Sequence, residues 1–178
     1  MKLIILDRDG VINEDSDDYI KSPDEFIPIA GSLVAITRLK QVGFTVVVAT
    51  NQSGIARRLF DIGTLNAIHE KLQRELAGHG ASLDGIFFCP HGPDESCECR
   101  KPKAGLLREI ATRFQVDLHG VPSIGDSLRD IQAAREVGAT PMLVKTGKGE
   151  RTLDKHAAEL HDIAIYADLA HAVDALVS

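Results

Sequence analysis

Apolar residues along the chain follow two alternating patterns. Residues 2–6 and 45–49 are short, nearly continuous apolar runs, and each is followed at once by polar positions. Such runs are typical of strands that are buried on both faces of a parallel sheet. Between them, residues 32–42 carry apolar side chains three residues apart, and Gly43 follows. That spacing predicts a helix that ends at the glycine, so the segment forms a strand, helix, strand unit.

The same alternation continues to residue 177. Further helices are predicted at about 64–77, 104–114, 130–137 and 153–160, with a last one ending at 177, and further strands at 86–89, up to 125, at 141–144 and at 163–166. Alternation of this kind predicts an open, mostly parallel α/β sheet, doubly wound and Rossmann-like, with helices on both faces. With 178 residues and 44% hydrophobic content, residues 1–178 are expected to form a single domain.

The overall charge narrows the range of partners. The formal net charge is −6 and the isoelectric point is about 5.6. An acidic protein repels nucleic acid and acidic membrane surfaces, so we expect neither as a partner and favour a small molecule. No apolar run approaches the length that spans a bilayer, and the first residues lack the basic and apolar regions of a secretion signal. The sequence therefore predicts a cytoplasmic protein.

The most specialised residues follow the predicted strands. Asp7 and Asp9 come after the first strand, Thr50 and Asn51 after the second, and Asp126 after the strand that ends at residue 125. Each of these motifs alone is typical of a turn or a helix cap. Ligands of such sheets, however, bind beyond the carboxyl ends of the strands. A carboxylate pair there can hold a divalent cation or divide nucleophile and acid roles.

In order along the chain, four short segments resemble the four motifs of the haloacid dehalogenase (HAD) superfamily. They are Asp7-x-Asp9-Gly10, Thr50-Asn51, Lys101 and Gly125-Asp126. The resemblance implies a phosphatase in which Asp7 attacks phosphorus, while Asp9 protonates the leaving oxygen and later activates water. It also implies Mg²⁺ bound by the carboxylates of Asp7 and Asp126 and the carbonyl of Asp9. Because the pKa of an ordinary aspartate is about 3.9, we expect the site to raise the pKa of Asp9.

The resemblance assigns further roles around the phosphoryl group. Lys101 and Thr50, together with nearby backbone amides, are expected to stabilise the charge on the phosphoryl oxygens. Ser127 is expected beside the metal. Asp130 is expected to orient Lys101 or the shell of the metal.

All three cysteines and one histidine lie within residues 89–99. They are Cys89, His91, Cys97 and Cys99. An odd number of cysteines does not suit a secreted disulfide framework. Four nitrogen and sulfur ligands in two pairs, with none to spare, are typical of a closed, tetrahedral, structural Zn²⁺ site. Zinc would order the polar loop at about 89–103 and hold the two cations that follow Cys99.

Longer blocks point to a narrower family. D-R-D-G-V-I-N, T-N-Q-S-G-I-A-R and C-P-H…C-E-C-R-K-P look like the D-glycero-D-manno-heptose 1,7-bisphosphate 7-phosphatase family, over nearly the whole chain. This resemblance implies hydrolysis of the C7 phosphate through an aspartyl-phosphate, which gives heptose 1-phosphate for nucleotide-activated heptose and the lipopolysaccharide core. It further implies a cytoplasmic monomer without a large cap domain.

Two alternatives remain open. Histidinol-phosphate phosphatases share the motifs and the zinc loop, so histidinol phosphate is a competing substrate. A receiver-like phosphoacceptor module is a competitor of a different class, but its acceptor aspartate normally ends the third strand, whereas Asp7 ends the first. Arg57 and Arg100 favour the bisphosphate, because they could meet a second phosphate, and Arg100 is assigned to substrate recognition.

Loops are expected to set specificity, with residues 15–18 and Tyr19 as the rim around the sugar. The remaining histidines, His69 among them, are expected to be ordinary surface or interface residues without a catalytic role, and Gly147-Lys148-Gly149 is typical of a surface turn. The candidate substrate-binding residues are Arg8, Asp15, Ser16, Asp17, Asp18, Asn51, Gln52, Ser53, Arg57 and Ser127.

Overall fold

A six-stranded parallel sheet forms the centre of the protein, and a computed structural model describes all residues 1–178. The strands are β1 (Lys2–Leu6), β2 (Phe44–Asn51), β3 (Gly85–Cys89), β4 (Pro122–Gly125), β5 (Thr140–Val144) and β6 (Ala164–Tyr166). Their order is β3-β2-β1-β4-β5-β6, with every neighbouring pair parallel. The predicted doubly wound α/β sheet is confirmed, because the chain runs outward from β1 and then returns to its other side at β4.

Helices connect the strands. They are α1 (Ser32–Gln41), α2 (Ile62–Ala77), α3 (Gly105–Phe114), α4 (Leu128–Glu136), α5 (Gly149–His156) and α6 (Leu169–Val177), with short 3-10 helices at Pro23–Glu25 and Ala157–Leu160. None of these helices combines the length and the apolar character that crossing a membrane requires.

Alternate residues of the central strands face two different helical layers. In β1, Ile4 and Leu6 belong to a core with residues of α1, α2 and α6. Leu3 and Ile5 belong to a second core with residues of α3 and α4. Because successive side chains of a strand point to opposite faces, a strand that is buried on both faces needs an uninterrupted apolar run. This explains why such runs marked the strands in the sequence.

The strand order determines where the site lies. β1 pairs with β4 although the two are far apart in sequence, and the direction of winding reverses between them. Asp7 and Asp126 directly follow these two strands. β2 flanks β1 on the other side, and its last residues, Thr50 and Asn51, pair with β3. The sheet therefore gathers the carboxyl ends of three strands with polar residues at its switch point.

One helix differs from its predicted bounds. α5 begins at Gly149 rather than near residue 153, and residues 157–160 form a 3-10 helix rather than a continuation of α5. Its buried residues are Gly149 and Thr152. The first turn therefore carries no large apolar side chain from which helical spacing could be recognised.

Candidate active site

A polar cavity of about 340 Å³ lies beyond the carboxyl ends of the strands. Carboxylates, hydroxyls, amides and cations line it, which suits a highly charged ligand with many oxygen atoms. Its lining residues are Asp7, Asp9, Asp15, Ser16, Asp17, Tyr19, Thr50, Asn51, Gln52, Ser53, Arg57, Arg100, Lys101, Asp126, Ser127, Arg129, Asp130 and Lys148.

Three carboxylates meet at the floor of the cavity. Asp7, Asp126 and Asp130 each place one oxygen within 4.8 Å of the others. Burial, reinforced by the neighbouring carboxylates, raises the pKa of Asp7 to about 7 and that of Asp126 to about 9. Asp130 is already paired, because its oxygens accept from Lys101 at 2.6 Å and from the Ser127 hydroxyl at 2.9 Å. Without a cation, Asp7 and Asp126 therefore resist ionisation, and a hard divalent cation such as Mg²⁺ would stabilise their ionised forms.

A tight turn brings Asp126 against the loop that follows β1. Gly10 has φ +87°, and a Cβ at this position would lie 2.1 Å from Asp126 Oδ2. Only glycine fits here, on grounds of both space and backbone conformation. The loop between β5 and α5 closes over the same carboxylate, since the Lys148 N–H donates to Asp126 Oδ2 at 2.8 Å and Thr146 Oγ1 donates to the Gly10 carbonyl at 2.7 Å. The orientation of Asp126 is therefore fixed from two sides.

Asp9 is held by four hydrogen bonds to its carboxylate. Oδ1 accepts from Arg8 Nε at 2.9 Å, Arg8 Nη2 at 2.7 Å and Asn13 Nδ2 at 2.9 Å, and Oδ2 accepts from Gln52 Nε2 at 3.2 Å. Burial alone would raise the pKa of Asp9, but the Arg8 guanidinium and these donors outweigh it and lower that pKa. The expected increase in the pKa is therefore wrong for the free protein, in which Asp9 is ionised.

Lys101 links the carboxylates to the sheet. Its buried ammonium donates to Asp130 at 2.6 Å, to the Ala49 carbonyl at 2.8 Å and to Asp7 at 3.1 Å. Burial works against the charge, but the two aspartates raise the pKa of Lys101 above its ordinary value. All three N–H groups are used, so the position of this cation is set by the protein before any ligand binds.

Asn51 and Gln52 bond to other residues of the site. The Asn51 side chain accepts from the Lys101 N–H at 3.0 Å and donates to the Lys101 carbonyl at 3.1 Å. Gln52 Nε2 donates to Thr50 Oγ1 at 2.9 Å as well as to Asp9. Asn51 thus fastens the loop that carries Lys101 to the end of β2.

A second cluster lies beside the cavity, in the loop after β3. His91 Nδ1 lies 3.4 Å from Cys89 Sγ and 3.3 Å from Cys99 Sγ, and Cys89 Sγ lies 3.9 Å from Cys97 and 2.7 Å from Cys99. The four ligand atoms lie within 4.8 Å of one another. Three thiols and one imidazole around a single point are a suitable donor set for tetrahedral zinc. Although burial opposes it, hydrogen bonds led by the Arg100 N–H lower the pKa of Cys97 to about 7, which favours the thiolate that a metal needs. Burial raises the pKa of Cys89 and Cys99, so these two thiols stay protonated until a metal displaces their protons.

Known proteins share this sequence and this fold. D-glycero-beta-D-manno-heptose-1,7-bisphosphate 7-phosphatase of Bordetella bronchiseptica is 63% identical over 86% of this chain and 86% of that protein. The enzyme of the same name from Pseudomonas putida is 56% identical over 96% of both chains. The HAD-hydrolase-like family matches residues 98–172. The chain belongs to the heptose-1,7-bisphosphate 7-phosphatase family.

A solved structure agrees with this assignment. The crystal structure of the D,D-heptose 1,7-bisphosphate phosphatase from B. bronchiseptica, complexed with magnesium and phosphate, superposes with a TM-score of 0.96 and 57% identity over 99% of this chain and 98% of that one. The predicted HAD-like fold is confirmed, and so is the phosphoric monoester hydrolase class. The receiver-like alternative is not supported, because members of the heptose-1,7-bisphosphate 7-phosphatase family are phosphatases.

The structure brings most of the site residues predicted from the sequence together around the cavity. The candidates that line the cavity are Asp7, Asp9, Asp15, Ser16, Asp17, Thr50, Asn51, Gln52, Ser53, Arg57, Arg100, Lys101, Asp126 and Ser127. Tyr19 lies at the rim with the Arg57 guanidinium 5.7 Å from its ring centre. Asp130 bonds to Lys101, as its expected orienting role requires.

Two candidates lie elsewhere. The Arg8 side chain is fully buried and points to Asp9 and His69, so it does not line the cavity. Asp18 is exposed outside the cavity, where its carbonyl accepts from Lys21. The structure therefore places neither side chain in the cavity, and the substrate contact expected of the Arg8 backbone amide stays a prediction. Both chain neighbours of Asp18 line the cavity, but its own side chain does not reach it. Arg8 points to the side of its loop opposite to Asp7 and Asp9, which line the cavity.

Three residues of this phosphatase were missed. Lys148 and Arg129 line the cavity, and Lys148 Nζ pairs with Asp15 at 2.7 Å. His69 is 8% exposed rather than a surface residue, and it bonds to Arg8. Lys148 lies between two glycines, a pattern typical of a surface turn, and a lone histidine on a helix carries no signal of its partner.

Proposed function

We propose that this protein hydrolyses the C7 phosphate of D-glycero-β-D-manno-heptose 1,7-bisphosphate, with Mg²⁺ at Asp7 and Asp126, and releases heptose 1-phosphate. The observation that carries the proposal is the arrangement at the cavity floor, where Asp7 lies 3.1 Å from the Lys101 ammonium and shares an ion-sized space with Asp126. The names of the relatives at 56% and 63% identity support the substrate.

The chain's own residues supply the chemistry of two steps. An Asp7 oxygen attacks phosphorus and forms an aspartyl-phosphate, while the bond from phosphorus to the C7 oxygen breaks. Asp9 is ionised in the free protein, and the negative charge of the bound substrate phosphate raises the pKa of Asp9 so that it takes up a proton from solvent. Asp9 donates that proton to the C7 oxygen and then accepts one from the water that hydrolyses the aspartyl-phosphate. Oδ2 is the atom that carries this proton, because Oδ1 already accepts three hydrogen bonds. Bound Mg²⁺ would offset the negative charge that Asp7 and the phosphate share.

Lys101 and Thr50 stabilise the phosphoryl group during transfer. The Lys101 ammonium is held between Asp7 and Asp130, so its positive charge already lies beside the phosphoryl group when charge develops on the phosphoryl oxygens. Thr50 Oγ1 accepts from Gln52 and donates to the Asn51 carbonyl over a long 3.4 Å, so its proton can turn to a phosphoryl oxygen at little cost. The Asn51 side chain fixes the main chain of Lys101 relative to the end of β2.

Cations distributed along the cavity support a bisphosphate over a monophosphate. Arg57, Arg100 and Arg129 line the cavity in addition to Lys101, and Lys148 lines it with its ammonium already paired with Asp15. Histidinol phosphate presents an amine and an imidazole at the end opposite its phosphate, and cations do not favour such groups. A second phosphate would offset their charge, and charge-assisted hydrogen bonds contribute about 1.5–3 kcal/mol each.

A steady-state comparison tests the substrate. With two such bonds to the second phosphate, kcat/KM for the β-anomer of the bisphosphate is expected to exceed that for histidinol phosphate by about 10² to 10⁴. Heptose 7-phosphate, which lacks only the C1 phosphate, is the matched control and should fall between them. Phosphorus NMR should detect the surviving anomeric phosphate. Equal or faster hydrolysis of histidinol phosphate would reverse the assignment.

We further propose that Cys89, His91, Cys97 and Cys99 bind a structural Zn²⁺. The donor set leaves no position open for a substrate, which suits a structural rather than a catalytic ion. The Arg100 guanidinium donates to the His91 carbonyl at 3.3 Å, and Lys101 follows directly. Zinc would thus hold the phosphate-binding cations against the cavity from outside the reaction centre.

Replacement of Cys97 by serine tests the zinc site. We expect zinc content to fall from about one ion per chain to less than half, because three ligands bind far more weakly than four. Trypsin should then cut faster within residues 90–103, and kcat/KM should fall about tenfold. Ser96→Ala, an exposed change in the same loop, is the control. Unchanged zinc content by elemental analysis in Cys97→Ser would contradict the assignment.

A further inference from the structure

The Arg8 side chain lies wholly inside the protein, between Asp9 and His69. It is 0% exposed. Nε and Nη2 donate to Asp9 Oδ1 at 2.9 and 2.7 Å, and Nη1 lies 3.0 Å from His69 Nε2. The ring of Phe26, also fully buried, has its centre 5.8 Å from the guanidinium carbon. The guanidinium therefore joins a residue of the active site to a residue of α2.

His69 is the acceptor in this contact. An arginine can only donate, so His69 Nε2 must be unprotonated and the ring proton must lie on Nδ1. Burial, with the Arg8 charge beside it, lowers the pKa of His69 to about 3, so the imidazole is neutral throughout the working range of pH. His69 is 8% exposed and belongs to the buried face of α2. It thus offers Arg8 a fixed neutral acceptor.

The contact restrains the direction of the Asp9 carboxylate. Two bonds from the planar guanidinium, donated by Nε and Nη2, converge on Oδ1, and they set which oxygen is turned toward the cavity. Without His69, Arg8 Nη1 would be a buried donor without that acceptor. Rotation of the guanidinium toward another acceptor or water would then lower the free energy. Such a rotation would break at least one bond to Oδ1. The His69 imidazole therefore fixes the Arg8 guanidinium, and the guanidinium fixes the Asp9 carboxylate.

We infer that His69 is a positioning residue for the acid–base step, and that it acts through Arg8 by fixing Asp9 so that Oδ2 meets the leaving oxygen. The inference rests on the proposed function only in taking Asp9 as the group that protonates the leaving oxygen. His69 itself touches neither the cavity nor the substrate.

The expected signature is selective for the leaving group. An alkoxide such as the C7 oxygen of a heptose must be protonated as it leaves, whereas p-nitrophenolate leaves without a proton. A displaced Asp9 therefore slows phosphoryl transfer from the sugar and leaves transfer from p-nitrophenyl phosphate nearly unchanged. kcat/KM reports only the steps up to the first irreversible one, so later hydrolysis of the aspartyl-phosphate does not obscure the comparison.

The decisive pair of variants is His69→Gln and His69→Asn. Gln places its amide oxygen near the position of the imidazole Nε2, whereas the Asn oxygen is one methylene short of Arg8. Both are polar and smaller than or similar to histidine, so both should fold. His69→Asn is expected to lower kcat/KM for the heptose bisphosphate on the order of tenfold to a hundredfold, and that for p-nitrophenyl phosphate less than about threefold. His69→Gln should restore most of the loss.

Leu72→Val controls for packing in the same helix, since Leu72 is fully buried and makes no polar contact. Crystal structures of the two His69 variants give a second measurement. The hydrogen bonds from Arg8 to Asp9 Oδ1 should be lost in His69→Asn and retained in His69→Gln. Equal losses on both substrates, or equal behaviour of Asn and Gln, would overturn the inference. If the wild-type enzyme ignores the bisphosphate, the proposed function fails, and the same ratio measured with histidinol phosphate still tests His69.

Discussion

Replacing Asp7 with asparagine is expected to lower the turnover of phosphate monoesters by on the order of 10⁴-fold or more, with no loss of the fold. An amide is a poor nucleophile, and no aspartyl-phosphate can form. Asparagine retains an oxygen that accepts from Lys101, as Asp7 Oδ1 does at 3.1 Å. Acid quenching during turnover should trap phosphate on the wild-type protein and none on the variant.

The same substitution should stabilise the metal-free protein. Burial raises the pKa of Asp7 from 3.8 to about 7, so its ionised form opposes folding. The gain should be absent below pH 3.8, grow as the pH rises to about 7, and remain above it. Urea unfolding at several pH values measures it, with the exposed Asp24→Asn as control. Full activity in Asp7→Asn would eliminate the nucleophile assignment.

Replacing Lys101 with methionine is expected to lower the free energy of unfolding of the metal-free protein by about 3–5 kcal/mol at neutral pH. Methionine fills similar space but leaves the Asp7 and Asp130 carboxylates buried without their cation. Phosphoryl transfer should also slow on the order of 10³-fold, because a preorganised charge is lost. Added Mg²⁺ should recover part of the stability, since Asp7 then regains a positive partner.

A double variant separates the two effects. In Lys101→Met with Asp130→Asn, the uncompensated charge of residue 130 is gone, while its amide oxygen can still accept from the Ser127 hydroxyl and the Asp126 N–H. Stability measured by urea unfolding should return toward that of the wild-type protein, and activity should not. An unchanged unfolding midpoint in the single variant would show that the ion pairs do not hold this site together.

The fold could be predicted because it depends on burial. Strands buried on both faces require uninterrupted apolar runs, and residues 2–6 and 45–49 show them plainly. The site could be located because parallel strands present their carboxyl ends at one edge, so Asp7 and Asp126 were expected to meet. The start of α5 could not be predicted, because its first turn buries only Gly149 and Thr152.

Other features depend on contacts that leave no local pattern. The pKa of Asp9 falls because Arg8 turns back onto it, and nothing in adjacent residues fixes that direction. His69 meets Arg8 across 61 residues of sequence. Lys148 holds Asp126 through its main-chain N–H, which any residue except proline can supply. Side-chain identity alone carried no information about these three contacts.

The cavity is assembled from both ends of the polypeptide, and this has a consequence for its biosynthesis. Asp7 and Lys101 are 94 residues apart, and the contact between Thr146 and Gly10 spans 136 residues. A ribosome makes the nucleophile first and its partners much later, so a nascent chain that has not yet produced β4 and the loop after β5 has no place to bind a cation. We therefore expect a chain that ends before the loop after β5 to be inactive.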